Sequence, residues 1–124
     1  HLIEINPVIV TKGGEPQFAV GASGGRRIMP AVAQIISFLA CFGMSLEEAF
    51  HAPRIDVSGV ERIVADQRLP KDVFEALAAR QKTVAAPRTV YPVFYACPSA
   101  VLRERGEQLG IAEISLPWTA AAGA

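Results

Sequence analysis

The 124-residue chain has no excess of charge of either sign, because twelve Lys and Arg residues balance twelve Asp and Glu residues. Proteins that bind nucleic acid or an anionic membrane surface carry a basic patch that shifts this balance. The composition therefore argues against nucleic-acid and membrane-surface partners and leaves small molecules and other proteins.

Cysteine and long apolar runs are also scarce. Cys41 and Cys97 are the only cysteines, and two residues so far apart in sequence form neither a metal-binding pattern nor a disulfide framework. We expect both to be buried free thiols. The apolar segment 31–42 is too short to cross a bilayer and follows no basic segment, which predicts a buried helix instead of a membrane span or signal peptide. If the chain is a fragment, any export signal lies upstream of it, so the sequence does not indicate the compartment.

The remaining patterns predict an α+β domain with helices packed on an antiparallel sheet. β-branched and alternating apolar residues predict strands at 8–11, 17–20, 55–57, 63–65 and 83–85, and a terminal hairpin over 91–114. Helical spacing predicts a helix over 28–42 that is buried all round, a capped helix from 45 to about 52, and a helix from 70 to about 80. Residues 1–124 are one domain or a domain fragment. We expect residues 1–6 to be native sequence, flexible or derived from a tag, and 119–124 to be a flexible tail.

A glycine-dense turn joins the second predicted strand to the longest predicted helix. Gly21, Gly24 and Gly25 tolerate positive φ and allow backbone N–H groups to approach a ligand closely. These groups lie where a helix begins, so the amide donors lack intrahelical partners and the helix dipole favours negative charge. The sequence therefore predicts a site for an oxyanion or a carboxylate at this turn.

Four collinear motifs extend this interpretation over residues 7–84. They read Pro7-x-Ile9-Val10-x-Lys12-x-Gly14, Gly21-Ala22-Ser23-Gly24-Gly25-x-Arg27-Ile28, Phe42-Gly43-Met44-x-Leu46-x-Glu48-Ala49 and Ala52-Pro53-Arg54. In this order and spacing they resemble the C-terminal part of the small subunit of γ-glutamyltranspeptidases. The resemblance implies an N-terminal-nucleophile hydrolase fold, an αββα sandwich that matures by self-cleavage into two subunits.

The resemblance also implies which part of the chemistry this chain carries. The backbone amides of Gly24 and Gly25 match the family's oxyanion hole, and Ser23 and Arg27 are candidates for substrate binding. The family's nucleophile is a threonine at the start of the small subunit, and no threonine of this chain lies early enough to match it. The implied partners are a γ-glutamyl or other amide substrate, such as glutathione, and the remainder of the enzyme: its large subunit and the N-terminal part of the small subunit. No metal and no organic cofactor is implied.

Departures from the family pattern keep alternatives open. Ile3 and Glu4 stand where the family usually has a serine pair that holds the glutamyl carboxylate, and Asp56 lies near the place of a common histidine. A related amidohydrolase or acylase with a non-glutamyl substrate is therefore one alternative. A non-catalytic fragment or subunit-association module, which could also self-associate through uncovered apolar surface, is another.

Three other residues have both functional and structural interpretations. Ser23 lies in a setting similar to a nucleophile elbow, but no histidine and carboxylate partners are evident beside it. Arg54 is expected to form a buried structural ion pair. His51 is expected to interact with the dipole at the end of its short helix, outside catalysis.

Overall fold

The computed structural model describes residues 6–90 and 93–122 of the chain. In chain order its elements are strands β1 (Val8–Lys12) and β2 (Glu15–Ser23), helices α1 (Ile28–Ala40) and α2 (Leu46–His51), strands β3 (Ile55–Asp56) and β4 (Ile63–Asp66), helix α3 (Lys71–Ala78), and strands β5 (Thr83–Ala86), β6 (Cys97–Glu104) and β7 (Glu107–Ala112). The predicted α+β class is confirmed. The predictions that concern Ile3, Glu4 and Tyr91 lie outside the described residues.

The main sheet of the described region is antiparallel, with strand order β1-β2-β6-β7. Phe18 and Val20 alternate along β2 on the face that meets the helices, and both are buried. Cross-strand pairing places Ala100 of β6 opposite Val20, so the same face continues across the sheet. Alternation of this kind gives each strand one face in the core and one outside it.

A smaller sheet has the order β3-β4-β5 and includes a parallel pair that the sequence patterns did not predict. Parallel strands need a crossover connection, and α3 supplies it between β4 and β5. Asp66 ends β4 and is 1% exposed, which places a carboxylate deep inside this part of the fold.

Helix α1 forms where the spacing predicts it but is not buried all round. Its buried positions are Ile28, Ala31, Val32 and Ile35, which lie on one stripe, whereas Met29 is 57% exposed. The helix ends at Ala40, because Gly43 with φ +63 lets the Met44 amide donate back to the Phe38 carbonyl at 3.0 Å. In the described region α1 is covered by the main sheet, by α2 and by β3, where the Gln34 amide bonds both backbone groups of Ile55. The sequence is apolar on all faces, but the remaining face of the helix is exposed.

The capping box predicted at Ser45 is confirmed. The Ser45 hydroxyl accepts from the Glu48 amide at 3.1 Å, and the Glu48 carboxylate accepts from the Ser45 amide at 2.9 Å. These bonds satisfy two amides that a helix start leaves without partners. Helix α2 then buries Phe50 completely against α1 and the sheet.

The expectation of two buried thiols is wrong for Cys41, which is exposed, while Cys97 is half-buried. Cys41 follows the last residue of α1 on its uncovered side, so helical spacing alone could not indicate its environment. The C-terminal residues 119–122 are described: the Thr119 hydroxyl donates to the Glu113 carbonyl at 2.7 Å, and Ala121 lies over Gly110 of β7.

Candidate oxyanion site

The turn between β2 and α1 is built from two consecutive glycines with positive φ. Gly24 has φ 137° and ψ 22°, and Gly25 has φ +61°. A single 3₁₀ turn over Gly25–Arg27 then leads into α1, with the Arg27 amide donating to the Gly24 carbonyl at 3.3 Å. L-residues rarely adopt the backbone conformation of Gly24, so this position requires glycine.

Gly21 is not part of the turn. It lies within β2 opposite Ser99 of β6 and has no positive φ, because β2 continues three residues beyond the predicted end at Val20. The sequence prediction of three turn glycines therefore reduces to Gly24 and Gly25. Pairing with β6 explains the difference, since a hydrogen-bonded partner strand extends β-structure through a glycine of low intrinsic propensity.

A close backbone contact holds Gly24 in place. A Cβ added to Gly24 would lie 2.9 Å from the Cα and 3.1 Å from the Cβ of Ala96, which is itself 2% exposed. Gly25 has open space at the corresponding position, with nothing within 4 Å. The first glycine is thus constrained by both backbone conformation and packing, and the second by conformation alone.

The amide groups of this turn are available to a ligand. Gly24 and Gly25 are exposed, and within the described residues neither donates a backbone hydrogen bond in the turns. Gly24 is the N-cap and Gly25 the first residue of the 3₁₀ turn that leads into α1, so their N–H groups have no partner within that turn. Two adjacent free donors at the positive end of a helix form a suitable cradle for an oxyanion.

Ser23 and Cys97 lie beside this cradle. They pair across β2 and β6, and burial raises the pKa of the Cys97 thiol although a hydrogen bond with the Ser23 side chain opposes the shift. His51, at the end of α2, has its ring Nδ1 2.8 Å from the Glu47 carbonyl. The described structure therefore does not place a histidine where it would activate Ser23.

Arg27 lies at the start of α1 on the side of the smaller sheet. Its Nε atom lies 3.9 Å from Oδ2 of Asp56, and its side chain remains 42% exposed. Asp56 is buried and accepts from the Ser58 hydroxyl at 2.7 Å. The guanidinium group is therefore steered by Asp56 but keeps a free face toward solvent.

Arg54 forms the buried ion pair that the sequence predicts, and its partner is Glu113. Their side chains are 1% and 2% exposed, and Arg54 Nη2 lies 3.3 Å from Glu113 Oε2. The same nitrogen donates to the Ala96 carbonyl at 3.4 Å. Glu113 was not singled out from the sequence, because 59 residues separate the partners and no local pattern indicates such a pairing.

A second group of buried charges lies at the C-terminal end of α2. Asp66 accepts from Arg68 Nη2 at 2.7 Å, and Arg88 donates to the Phe50 and Ala52 carbonyls at the end of α2. Burial would raise the pKa of Asp66, but the Arg68 hydrogen bonds outweigh it and the pKa lies below its ordinary value. Burial and the neighbouring Arg54 charge lower the pKa of Arg88 to about 10.

The described residues contain neither a metal-binding cluster nor a membrane-spanning helix. Within residues 6–90 and 93–122, no three His, Cys, Asp or Glu side chains are grouped in a way that could hold a metal ion. No helix in the described part of the chain is both long and apolar enough to span a membrane.

Comparisons with known proteins identify the relatives of this chain. The family model described as gamma-glutamyltranspeptidase matches residues 2–122. Over 83 residues the chain is 39% identical to the acylase ACY 1 proenzyme of a Pseudomonas strain, covering 66% of this chain and 15% of that proenzyme. Over 76 residues it is 33% identical to the glutathione hydrolase proenzyme of Bacillus subtilis, covering 61% of this chain and 13% of that proenzyme.

Solved structures share the fold. A mutant of the gamma-glutamyltranspeptidase of Helicobacter pylori matches 92% of this chain and 62% of its own at 25% identity, with a TM-score of 0.77. A cephalosporin acylase from Bacillus halodurans matches 89% of this chain and 20% of its own at 20% identity, with a TM-score of 0.78. The aligned segments thus span about one seventh of the curated relatives' length.

Proposed function

Since this chain belongs to the gamma-glutamyltranspeptidase family, we propose that it is the C-terminal portion of an enzyme that transfers or hydrolyses an amide-linked acyl group. Its own contribution is the oxyanion hole formed by the N–H groups of Gly24 and Gly25. The nucleophile comes from another segment of the enzyme. The observation that carries this proposal is the pair of exposed positive-φ glycines whose amides stay free at the start of α1.

The chemistry follows from where negative charge develops. A threonine hydroxyl attacks the amide carbonyl while its proton passes to the threonine α-amine and then to the leaving amine. The carbonyl oxygen becomes an oxyanion in the tetrahedral intermediate, and the two glycine amides donate hydrogen bonds to it. One such donor lowers the barrier by about 3 kcal/mol, or roughly a hundredfold in rate. Water or an amino acid then takes the acyl group from the threonine.

Two neighbours complete the proposed substrate site. Ser23 ends β2 directly before the glycine pair, and Arg27 presents a partly exposed guanidinium group two residues after it. A guanidinium group binds a carboxylate through two parallel hydrogen bonds. A γ-glutamyl donor such as glutathione carries such a carboxylate, and this substrate class is our first proposal.

A non-glutamyl acyl donor is the second candidate, because two observations favour it. The relative with 39% identity is an acylase, whereas the glutathione hydrolase of Bacillus subtilis is 33% identical. Glu4 also stands where the family usually has a serine, and a second carboxylate there would repel that of a glutamyl group. A substrate panel separates the two candidates.

The test uses the full-length protein with the peptide N–H of Gly25 replaced by an ester oxygen, through incorporation of glycolic acid. This change removes one donor without altering the backbone conformation. We expect kcat to fall about a hundredfold while KM changes little, because the donor acts in the transition state. An unchanged kcat would remove the oxyanion assignment.

Substrate identity is read from the unmodified protein. Faster turnover of γ-glutamyl-p-nitroanilide than of butyryl-p-nitroanilide, whose acyl group carries no carboxylate, supports the first candidate, and the reverse supports the acylase. No turnover of any acyl anilide supports a non-catalytic module. We expect the isolated 124-residue chain to turn over neither substrate, and we expect no labelling of Ser23 by a fluorophosphonate.

A further inference from the structure

Arg54 is connected to the glycine turn through a single intervening residue. Arg54 Nη2 donates to the Ala96 carbonyl at 3.4 Å, and the backbone of Ala96 packs directly against Gly24. Arg54 itself is the residue before Ile55, the first residue of β3. Any shift of Arg54 therefore reaches the turn through the position of Ala96.

Glu113 fixes the other side of Arg54. Its Oε2 atom lies 3.3 Å from Arg54 Nη2, and its Oε1 atom accepts from the Ser115 amide at 3.2 Å and the Ser115 hydroxyl at 2.9 Å. A buried carboxylate with these partners has little freedom to move. The segment after β7 is thereby linked through Arg54 to the segment before β6.

We propose that Arg54 is a positioning residue for the oxyanion hole. By holding Ala96 in place, it keeps the amides of Gly24 and Gly25 in position. The effect of Arg54 on catalysis rests on the proposed function, whereas its effect on the structure of the glycine turn does not. Arg54 touches none of the reacting atoms. Its role is to fix the surface against which Gly24 is seated.

The geometry of Gly24 makes this arrangement sensitive to small displacements. Because Gly24 has no side chain and Ala96 approaches its Cα directly, no flexible group lies between them to absorb a movement. Displacing a catalytic group by about 1 Å can cost roughly a hundredfold in rate. A change at Arg54 that lets Ala96 move should therefore alter the direction of the Gly24 and Gly25 amides.

Arginine is the residue type that this position requires. A single nitrogen, Arg54 Nη2, reaches both the Glu113 carboxylate and the Ala96 carbonyl, and the length and rigid plane of the guanidinium group hold that nitrogen between them. A lysine ammonium ends a shorter chain and is a compact point charge, so it follows the charged carboxylate and not the neutral carbonyl. Lysine would keep the charge opposite Glu113 and so avoid an unpaired buried carboxylate. Arg54→Lys thus loosens the Ala96 contact while preserving the ion pair.

The test compares Arg54→Lys with Arg88→Lys in the full-length protein. Arg88 is a matched control, because its side chain is also buried, at 6% exposure, and its hydrogen bonds go to carbonyls of α2 and its C-terminus instead of Ala96. Within residues 23–27 the Arg27 amide is protected by its hydrogen bond to the Gly24 carbonyl at 3.3 Å, and its hydrogen exchange is measured by NMR together with kcat and KM. We expect Arg54→Lys to speed exchange at this amide at least tenfold and to lower kcat about tenfold with KM within threefold. Arg88→Lys should change neither quantity.

A second variant covers the case in which Arg54→Lys does not fold. Glu113→Gln removes the charge and leaves one acceptor oxygen, so either Arg54 or the two Ser115 donors lose their acceptor. We expect a smaller acceleration of exchange at the Arg27 amide. Unchanged exchange in both folded variants would overturn the positioning role. If the unmodified protein turns over no acyl substrate, the proposed function fails while the exchange measurement still decides the role of Arg54.

Discussion

Gly24 and Ala96 meet backbone to backbone: a Cβ on Gly24 would stand 2.9 Å from the Cα of Ala96. Contacts this short do not occur between ordinary side chains and backbone, so one of the two segments would have to move. The contact joins the end of β2 to the residue before β6 and gives the glycine turn a fixed support. Gly25, the next residue, has no such neighbour.

The two glycines should therefore differ in their tolerance of substitution. We expect Gly24→Ala to lower kcat at least a hundredfold and to destabilise the protein, because both φ 137° and Ala96 oppose a Cβ. Gly25→Asn should lower kcat less than tenfold, since asparagine tolerates φ near +61° and the site has open space. Steady-state kinetics and thermal unfolding measure both. Equal losses for the two variants would contradict the packing argument.

Arg27 should discriminate between acyl donors. Arg27→Gln is expected to raise KM about tenfold for γ-glutamyl-p-nitroanilide, which carries a carboxylate, and to leave KM for an uncharged acyl anilide unchanged. Asp56→Asn is the matched control, because it removes the partner that lies 3.9 Å from Arg27 without removing the guanidinium group. If Arg27→Gln changes KM for both donors alike, Arg27 is a structural residue only.

Asp66 should make the protein sensitive to acid. Burial raises its pKa, hydrogen bonds and charges from Arg68 and Arg88 lower it, and the net pKa lies below the ordinary 3.8. The folded state therefore holds fewer protons here than the unfolded state. The stability that results is present above pH 3.8 and is lost as the pH falls through the lower folded pKa.

Asp66→Asn tests this dependence by urea unfolding at pH 7 and pH 3. At pH 7 we expect a loss of about 3 kcal/mol, because Arg88 stays buried without its carboxylate, and the gap to the unmodified protein should narrow at pH 3. Asp72→Asn, at an exposed position in the first turn of α3, should cost about 0.5 kcal/mol or less. A gap that does not depend on pH would contradict the assignment.

The outer face of the main sheet should mediate self-association of the isolated chain. Ile9 and Val101 both pair with Ala19, so they share that face, and they are 69% and 58% exposed. An apolar face of this kind favours association. We expect Val101→Lys to weaken association at least tenfold in sedimentation velocity, about 1.4 kcal/mol. Val60→Lys, at a loop position that is 94% exposed, should leave it unchanged.

Local interactions explain which elements the sequence predicts well. The Ser45 and Glu48 capping box needs only residues three apart, and the end of α1 needs only Gly43 and its positive φ. Such bonds form between near neighbours whatever surrounds them. The position of the glycine turn belongs to the same class, because Gly24 and Gly25 lie next to the start of α1.

The predictions from sequence are wrong where contacts with distant strands or helices determine where an element ends or which face is buried. The predicted end of β2 was Val20, whereas the strand continues to Ser23 because β6 pairs with it. Which faces of α1 are exposed depends on the sheets and on α2, which the helix sequence does not indicate. Pro98 is a further example. It lies in β6 and pairs with Ala22 of β2, but in the described region the pairing of β6 with β7 begins one residue later, at Ser99. A proline is therefore accommodated where β2 is its one neighbouring strand.

The sequence by itself determined the α+β class, the family motifs, the helix caps and the glycine turn, because each depends on backbone preferences and contacts between near neighbours. Only the tertiary structure decided that Ala96 supports Gly24, that Glu113 neutralises Arg54 and that Asp56 steers Arg27. These partners are separated by 29 to 72 residues in the printed sequence. Their contacts form only when the two sheets and the helices pack, since loop closure over such distances is favourable only with the rest of the core in place.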